Sequence, residues 1–356
     1  MPLVQDSRSK MGFIALIFAL MIEQGRELSG NNPVYRGLRR LAELVPHWTD
    51  AGRKEHAMLG WLLVVLPVLA GLAALDWLLE SVHPLASFVL HVGVLYLTVG
   101  FRQFSHVFTE IQDALKKKAG TDGRVGDAAL ILEKWIESRS WGKSATSTFN
   151  RGLDSDPSSI CRATIAHALV ASHRHVFAPL LWYLILPGVI GPVLYRLAEM
   201  LSRRWEAARE NTATGMLPAF EGSIQQNAAP PVPTYFSEFA QKAYWVLDWI
   251  PVRLTAAGFA VVGNFEDAIY CWRGALSAGL GNEQRSLLLA TGGGALGVTL
   301  ADPEMEATWN AQGFEWQGLA ADSDSLRSAV GLVWRAVILW VGLFALLTAA
   351  SWLGVR

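Results

Sequence analysis

The stretch Ala57–Leu79, AMLGWLLVVLPVLAGLAALDWLL, carries a single charged side chain, Asp76, near its end. A helix needs about 20 apolar residues to cross the hydrocarbon core of a bilayer. This run meets that length, so it predicts a membrane-crossing helix rather than a core helix of a soluble domain. Working outward, Leu85–Gly100 (LASFVLHVGVLYLTVG) follows after the short break Ser81-Val82-His83-Pro84, and the two runs read as a transmembrane hairpin over residues 57–100. Phe177–Leu197 (FAPLLWYLILPGVIGPVLYRL) has no charge before Arg196. Ala243–Gly263 (AYWVLDWIPVRLTAAGFAVVG) is long enough to cross but carries Asp248 and Arg253, and Ala336–Leu353 closes the series. The reading is an all-α, polytopic integral membrane protein with about five transmembrane helices and amphipathic cytoplasmic helices, a single domain over residues 1–356.

Composition agrees. Residues of the AVILMFWYC set make up 52% and charged residues 17%, against about 25% charged in soluble domains. Such a chain has apolar material to bury, which excludes disorder. Fifteen Trp against seven Tyr suit the membrane–water boundary. With 30 Lys and Arg against 31 Asp and Glu, no basic field points to nucleic acid. Cys161 and Cys271 are too few for a metal cage or disulfide framework and read as small buried residues.

The run Met11–Ile22 resembles a secretory signal, with Arg8 and Lys10 ahead of it, but Glu23-Gln24-Gly25-Arg26 offers no small-residue cleavage site. It reads as a retained, short or half-inserted helix. Residues 101–176 form a polar helical loop in which Arg102–Lys118 is amphipathic, with Phe104, Val107, Phe108, Ile111 and Leu115 at helical steps. Residues 211–234 read as a flexible linker, because Pro218, Pro230, Pro231 and Pro233 break any period. Residues 264–328 read as a polar, Gly-containing loop. Lys and Arg counts put residues 23–56, 101–176 and 264–328 in the cytoplasm, of a plasma (inner) membrane, and put Arg203, Arg204 and Arg209 outside.

Chemistry is expected where charge enters an apolar run. Asp or Arg at the centre of a membrane helix costs about 2.5–3.5 kcal/mol on insertion scales, so Asp248 and Arg253 are candidate catalytic residues. A helix bent or broken at Pro251 turns both toward one cavity; salt bridges to other helices, or Arg253 reaching the interface, are the alternatives. His167, His173, Arg174 and His175 precede a span and lack the four-residue step that suits zinc, so a solvated interfacial belt competes with anion binding. Arg102 and His106 form an i, i+4 pair after the second run. Gly292, Gly293, Gly294 and Gly297 contain a G-x-G-x-x-G pattern without a surrounding βαβ unit; phosphate contact and close helix packing explain it equally well. No P-loop, no G-x-S-x-G and no internal repeat is present.

Several strings together resemble the CobD/CbiB family of cobalamin-biosynthesis membrane proteins: Phe101-Arg102 with His106, Arg162-Ala163, Ala178-Pro179-Leu180 with Trp182, Gly191-Pro192 with Tyr195-Arg196, Asp248-Trp249-Ile250-Pro251-Val252-Arg253-Leu254-Thr255, and Gly294-Ala295-Leu296-Gly297-Val298. The resemblance runs from about Met11 to the last helix, and Ile250–Thr255 is its most specific part. It implies the synthesis of an amide between a corrinoid carboxyl and an aminopropanol unit, with ATP and Mg²⁺ as cofactors and the lipid bilayer and a corrinoid as partners. It further implies that Arg102, His106, Arg162, Tyr195, Arg196 and Arg253 meet substrate, that Asp248 orients Arg253 or a metal, and that the Gly292–Gly297 backbone meets a phosphate. The chain departs from the family in having Ala166–Phe177 (AHALVASHRHVF) where acids are usual, and Leu197-Ala198-Glu199-Met200 after its Tyr-Arg. The same skeleton resembles AmpE, a non-catalytic inner-membrane sensor or regulatory relative, which is the second reading.

Overall fold

The computed structural model describes residues 2–25, 33–49, 54–100, 103–116, 123–139, 156–186, 188–213, 234–280, 283–301, 303–311, 313–314 and 318–354. Among these the protein is helical throughout, apart from one isolated bridge between Val298 and Leu319. The fold is the all-α, polytopic membrane architecture that the hydropathy predicts.

In chain order, α1 spans Pro2–Gly25, α2 Pro33–Thr49, α3 Lys54–Val82, α4 Pro84–Thr98, α5 Gln103–Lys116, α6 Gly123–Arg139 and α7 Pro157–Ser172. A π-helical turn, His173–Phe177, leads directly into α8, Ala178–Ile185. Then come α9 Ile190–Ala213, α10 Thr234–Val262, α11 Phe265–Ser277, α12 Gln284–Leu296, α13 Pro303–Ala311 and α14 Ser323–Gly354. Within α3, α10 and α14, the segments Glu55–Val82, Thr234–Val262 and Ser323–Ala350 are long and apolar enough to cross a membrane. Two shorter apolar helical segments, Met11–Glu23 and Pro84–Thr98, pack against each other, with Phe18 edge-on to Phe88. Leu59, Leu63, Leu66, Trp77 and Leu78 on α3, and Ile338, Leu346 and Leu347 on α14, are exposed. Large apolar side chains turned outward in rows are what a lipid-facing surface requires.

Between α3 and α4, His83 caps the second helix, its Nδ1 accepting from Leu85 N at 3.1 Å. The main core joins α7, α10, α12 and α14; Phe177 packs edge-on to Phe259 and, tilted, against Trp340. Cys161 and Cys271 are buried in it and in a neighbouring cluster, as expected, and burial pushes both thiols up to about 11.

Four expectations change. Residues 177–197 are not one helix: α8 ends at Ile185, and α9 starts again after Gly188, whose φ of +66° suits only glycine without strain. The turn is tight, since a Cβ on Gly191 would fall 2.1 Å from the Trp182 carbonyl oxygen. Residues 264–328 are not a loop, for they contain α11, α12 and α13. The helix α10 runs unbroken through Pro251.

Finally, α9 runs antiparallel beside α3. Gly188, just before it, lies against Asp76 and His91, whereas Trp205 near its other end packs edge-on against Phe236, whose ring lies against Gly60. Trp205 Nε1 also donates to Ala42 O at 2.9 Å, and Arg204 pairs with Glu43 at 3.2 Å. Arg203, Arg204 and Arg209 therefore share the end of the bundle that holds α2 and the start of α3, rather than lying opposite to it. Hydropathy missed this because it took residues 177–197 as one crossing run, whereas the chain turns at Gly188 and α9 continues to Ala213. Of the predicted linker 211–234, residues 211–213 close α9, Thr234 opens α10, and 214–233 lie outside the described residues.

Candidate functional site

Asp248 is 3% exposed, on the face of α10 that also carries Tyr244 and Thr255. These positions are four and seven residues from it, spacings that return to one side of a helix. Its Oδ1 accepts from His173 Nε2 at 2.8 Å and from the Tyr195 hydroxyl at 2.8 Å. Tyr195 and Tyr244 share a hydrogen bond of 3.0 Å. His173 Nδ1 lies 2.9 Å from Thr255 Oγ1. The result is a ring of buried polar groups drawn from α9, α10 and the π turn.

The π turn explains how His173 gets there. Ala178 N–H bonds the His173 carbonyl, one residue further back than in an α-helix. Such bulges cluster at functional sites because they shift side chains off the α-helical register. Pro179, having no N–H, leaves the His175 carbonyl without its usual helical donor; Gly100 N supplies one at 3.1 Å. The turn is thus anchored to the end of α4.

Chemically, the ring can hold or release one proton without moving heavy atoms. With Nε2–H donated to Asp248, Nδ1 of a neutral His173 accepts from the Thr255 hydroxyl, while Nδ1–H of an imidazolium donates to it. Among the described residues Asp248 Oδ2 makes no hydrogen bond, so it is the oxygen left for an incoming proton.

Next to the ring lies a buried charge cluster on α9. Arg196 Nη1 donates to Glu199 Oε2 at 2.5 Å, and Arg203 Nη2 approaches Glu199 Oε1 at 3.1 Å. Arg174, half-buried in the π turn, lies within electrostatic reach of Tyr244, Glu199, Tyr195 and Asp248. A second, separate network joins Asp76 to Ser87 at 2.7 Å and to His91 at 3.3 Å, and His91 to Tyr183 at 3.0 Å, near the opposite end of α3.

The structure brings Asp248, Tyr195 and Arg196 together and leaves the other candidates elsewhere. In an unbroken helix, Arg253 stands about 140° around from Asp248. It lies over the Trp249 ring, 3.9 Å from the centroid, and donates to the Trp249 carbonyl at 3.0 Å. Arg162 is half-buried on α7, three turns before the π turn. Arg102 and the side chain of His106 lie outside the described residues. Gly292, Gly293 and Gly294 are buried inside α12, where a Cβ on Gly292 would meet Leu169 at 2.6 Å and one on Gly294 the Asp267 carbonyl at 2.6 Å. Gly297 ends that helix with φ +69°. These glycines serve close packing and a helix stop, not a phosphate loop, since the helix uses their amides.

His173 and His175, read as a solvated belt, are buried at 2% and 5% exposed. Of the ring, His173, Tyr244 and Thr255 were missed, and so were Glu199 and Arg203 beside it. The i, i+4, i+11 spacing of Tyr244, Asp248 and Thr255 was a usable signal; the His167–His175 cluster drew attention to His173 only as a belt or anion site, and nothing local marked it as the partner of Asp248.

Mg²⁺ usually takes one or two carboxylates with phosphate oxygens. Here Glu199 is committed to Arg196, and Asp248 Oδ1 to His173 and Tyr195. No group of three metal-ligating side chains occurs among the described residues. Those residues do not fit a Mg²⁺ site.

Compared with known proteins, the chain is 29% identical over 279 residues to the cobalamin biosynthesis protein CobD of Chromobacterium violaceum, covering 78% of this chain and 76% of that one. It is 27% identical over 337 residues to the protein of the same name from Stutzerimonas stutzeri, covering 92% and 95%. Over most of its length the chain is therefore similar to these CobD proteins. No family model and no solved structure matches it. Both CobD alignments cover most of the chain, in keeping with a cobalamin-biosynthesis membrane protein.

Proposed function

We propose that this CobD-like chain is an inner-membrane acid–amine ligase that joins a corrinoid carboxyl to an aminopropanol unit. The observation that carries the reading is the buried Asp248–His173 pair, closed by Tyr195 and Thr255. An amine enters solution chemistry as an ammonium and attacks an acyl carbon only after losing a proton. Asp248 Oδ2 is placed to accept that proton, and the imidazole to share it, with Thr255 turning its hydroxyl to match. Burial serves the same end, because a carboxylate shielded from water stays hydrogen-bonded to few, fixed partners. Arg253, off this face, packs over Trp249 one turn back on the same helix, away from Asp248. Carboxyl activation by ATP belongs to the proposal through the family resemblance, with no described residue assigned to it.

The test is growth of cells that lack the corrinoid amide synthase and receive this chain, without supplied cobinamide. Growth with the wild type and none with Asp248→Asn, at equal amounts in the membrane, is the expected result. Equal growth with Asp248→Asn would overturn the assigned role. A second reading, an AmpE-like regulatory protein that has kept the fold without turnover, is favoured because the described residues hold no cluster of three acidic, His or Cys side chains. It is the conclusion if the wild-type chain reaches the membrane and supports no growth.

A further inference from the structure

The helix α2, at the end of the bundle where α3 begins, has a sharply divided surface. Leu38, Leu41, Ala42 and Val45 join the core cluster formed with Val64 and Trp205. Three ties hold the helix there: the Tyr35 hydroxyl donates to Leu97 O at 2.6 Å, Trp205 Nε1 donates to Ala42 O, and Arg204 pairs with Glu43. The opposite face is uncovered. Val34 is 51%, Leu44 45% and Trp48 68% exposed, and Arg36 and Arg40 are exposed beside them. At about 100° per residue, the three apolar side chains fall on one side of this face and the two arginines, four residues apart, on the other. Neither arginine pairs with a described residue.

We infer that the outer face of α2 is a docking surface for anionic membrane lipid, with Trp48, Leu44 and Val34 among the upper acyl carbons and Arg36 and Arg40 on the head-group charge. Two observations select this occupant. The first is continuity. Thr49, next to Trp48, packs against Gly60, so the apolar side of α2 runs on into Met58, Leu59 and Leu63, part of the exposed row of α3 that meets lipid. Side chains that adjoin such a row share its solvent, and Trp favours the boundary between acyl chains and head groups. The second is charge. The sole acid in the sequence of α2 is Glu43, and Arg204 already neutralises it. Arg39, half-buried within electrostatic reach of both, adds a further positive charge. Helices with an apolar strip beside arginines lie at the head-group boundary and bind more strongly where the lipids are anionic. A zwitterionic surface leaves the two outer guanidinium groups without a counter-ion. The inference stands apart from the ligase reading, since α2 contributes no side chain to the Asp248 ring.

Energy transfer from α2 to labelled lipid, with the full chain in liposomes, tests the surface. Gly37 is exposed and a Cβ there meets nothing within 4 Å, so Gly37→Cys carries a donor fluorophore without disturbing the helix. Cys161 and Cys271 are buried, and labelling of the unsubstituted chain measures their background. Acceptors on the acyl chains of phosphatidylglycerol and of phosphatidylcholine are compared at equal mole fraction. Transfer to phosphatidylglycerol at least twice that to phosphatidylcholine is the expected result. Arg36→Gln with Arg40→Gln abolishes the preference, each arginine being worth roughly fivefold in local anionic lipid. Arg36→Lys with Arg40→Lys keeps it, because the head groups respond to charge. Both arginines are exposed, so these replacements spare the core, and unchanged helicity by circular dichroism confirms that. A donor at Leu78→Cys, exposed near the far end of α3, shows no preference. Equal transfer to the two lipids, a preference that survives the glutamine pair, or the same preference at position 78 overturns the inference. Transfer between donor-labelled and acceptor-labelled chains that the glutamine pair abolishes also overturns it, by assigning the face to a second copy.

Discussion

Asp248 and His173 are coupled strongly enough for a double-mutant cycle to show what kind of bond they share. Asp248→Ala strands the His173 Nε2–H and the Tyr195 hydroxyl, each 2.8 Å from the lost oxygen. Hydrogen bonds to a charged group contribute about 1.5–3 kcal/mol each, so the single variant loses roughly 3–6 kcal/mol. His173→Ala removes one of those bonds together with the contact to Thr255. In the double variant the His173–Asp248 term has nothing left to lose, and the cycle isolates it at about 1.5–3 kcal/mol. Interhelical hydrogen bonds in membranes average only about 0.6 kcal/mol in such cycles, so the two cases differ by more than the usual error. The assay is unfolding of the four proteins from mild detergent into dodecyl sulfate, followed by tryptophan fluorescence; Trp182, which donates to Leu247 O, reports on this region. A coupling at or below about 0.6 kcal/mol would refute the argument that a charge-assisted pair sits at the centre of the site.

Substitution of the α12 glycines should follow the hardness of what each Cβ meets. Gly294→Ala drives a methyl onto the Asp267 carbonyl and the Ala268 Cα, both backbone, and costs about 1–3 kcal/mol of stability. Gly292→Ala meets the tip of the Leu169 side chain, which can turn away, and costs less; the reverse order in melting experiments would contradict the packing role. Asp322 caps α14, its Oδ1 accepting from the amides of Asp324 and Ser325 and from the Ser325 hydroxyl. Those Ser325 bonds, led by the one from its hydroxyl, hold the Asp322 carboxyl below its usual value. A lowered folded-state pKa means that this contribution is whole above the unfolded value, about 3.9, and fades as the pH falls through the folded one. Asp322→Ala should cost roughly 0.5–2 kcal/mol near neutrality, with a gap to wild type that narrows below about pH 4; a gap unchanged down to pH 3 counts against the cap.

The segments Ala57–Leu79, Ala243–Gly263 and Ala336–Leu353 were legible as membrane helices because bilayer thickness fixes their length and exclusion of charge fixes their composition. Both are properties of a chain read in one dimension. Asp248 was legible for a related reason: an acid in an apolar run is costly anywhere, so its presence alone signals a role. What it does depends on partners 75 and 53 positions away, His173 and Tyr195, and on a π turn that no local periodicity announces. Arg253, five residues from Asp248, looked like its partner in sequence and is turned away by the 3.6-residue period of an unbroken helix. The glycines of α12 have a phosphate-loop spelling and a packing role, because only the neighbours Leu169 and Asp267 distinguish the two. The polar helix α9 shows the limit most plainly: its Arg196 and Glu199 are sheltered by the helices around it. Hydropathy along the chain marks which helices must meet lipid, whereas only the packed fold settles which charges meet each other, since hydropathy belongs to single residues and pairing belongs to the crossing of helices.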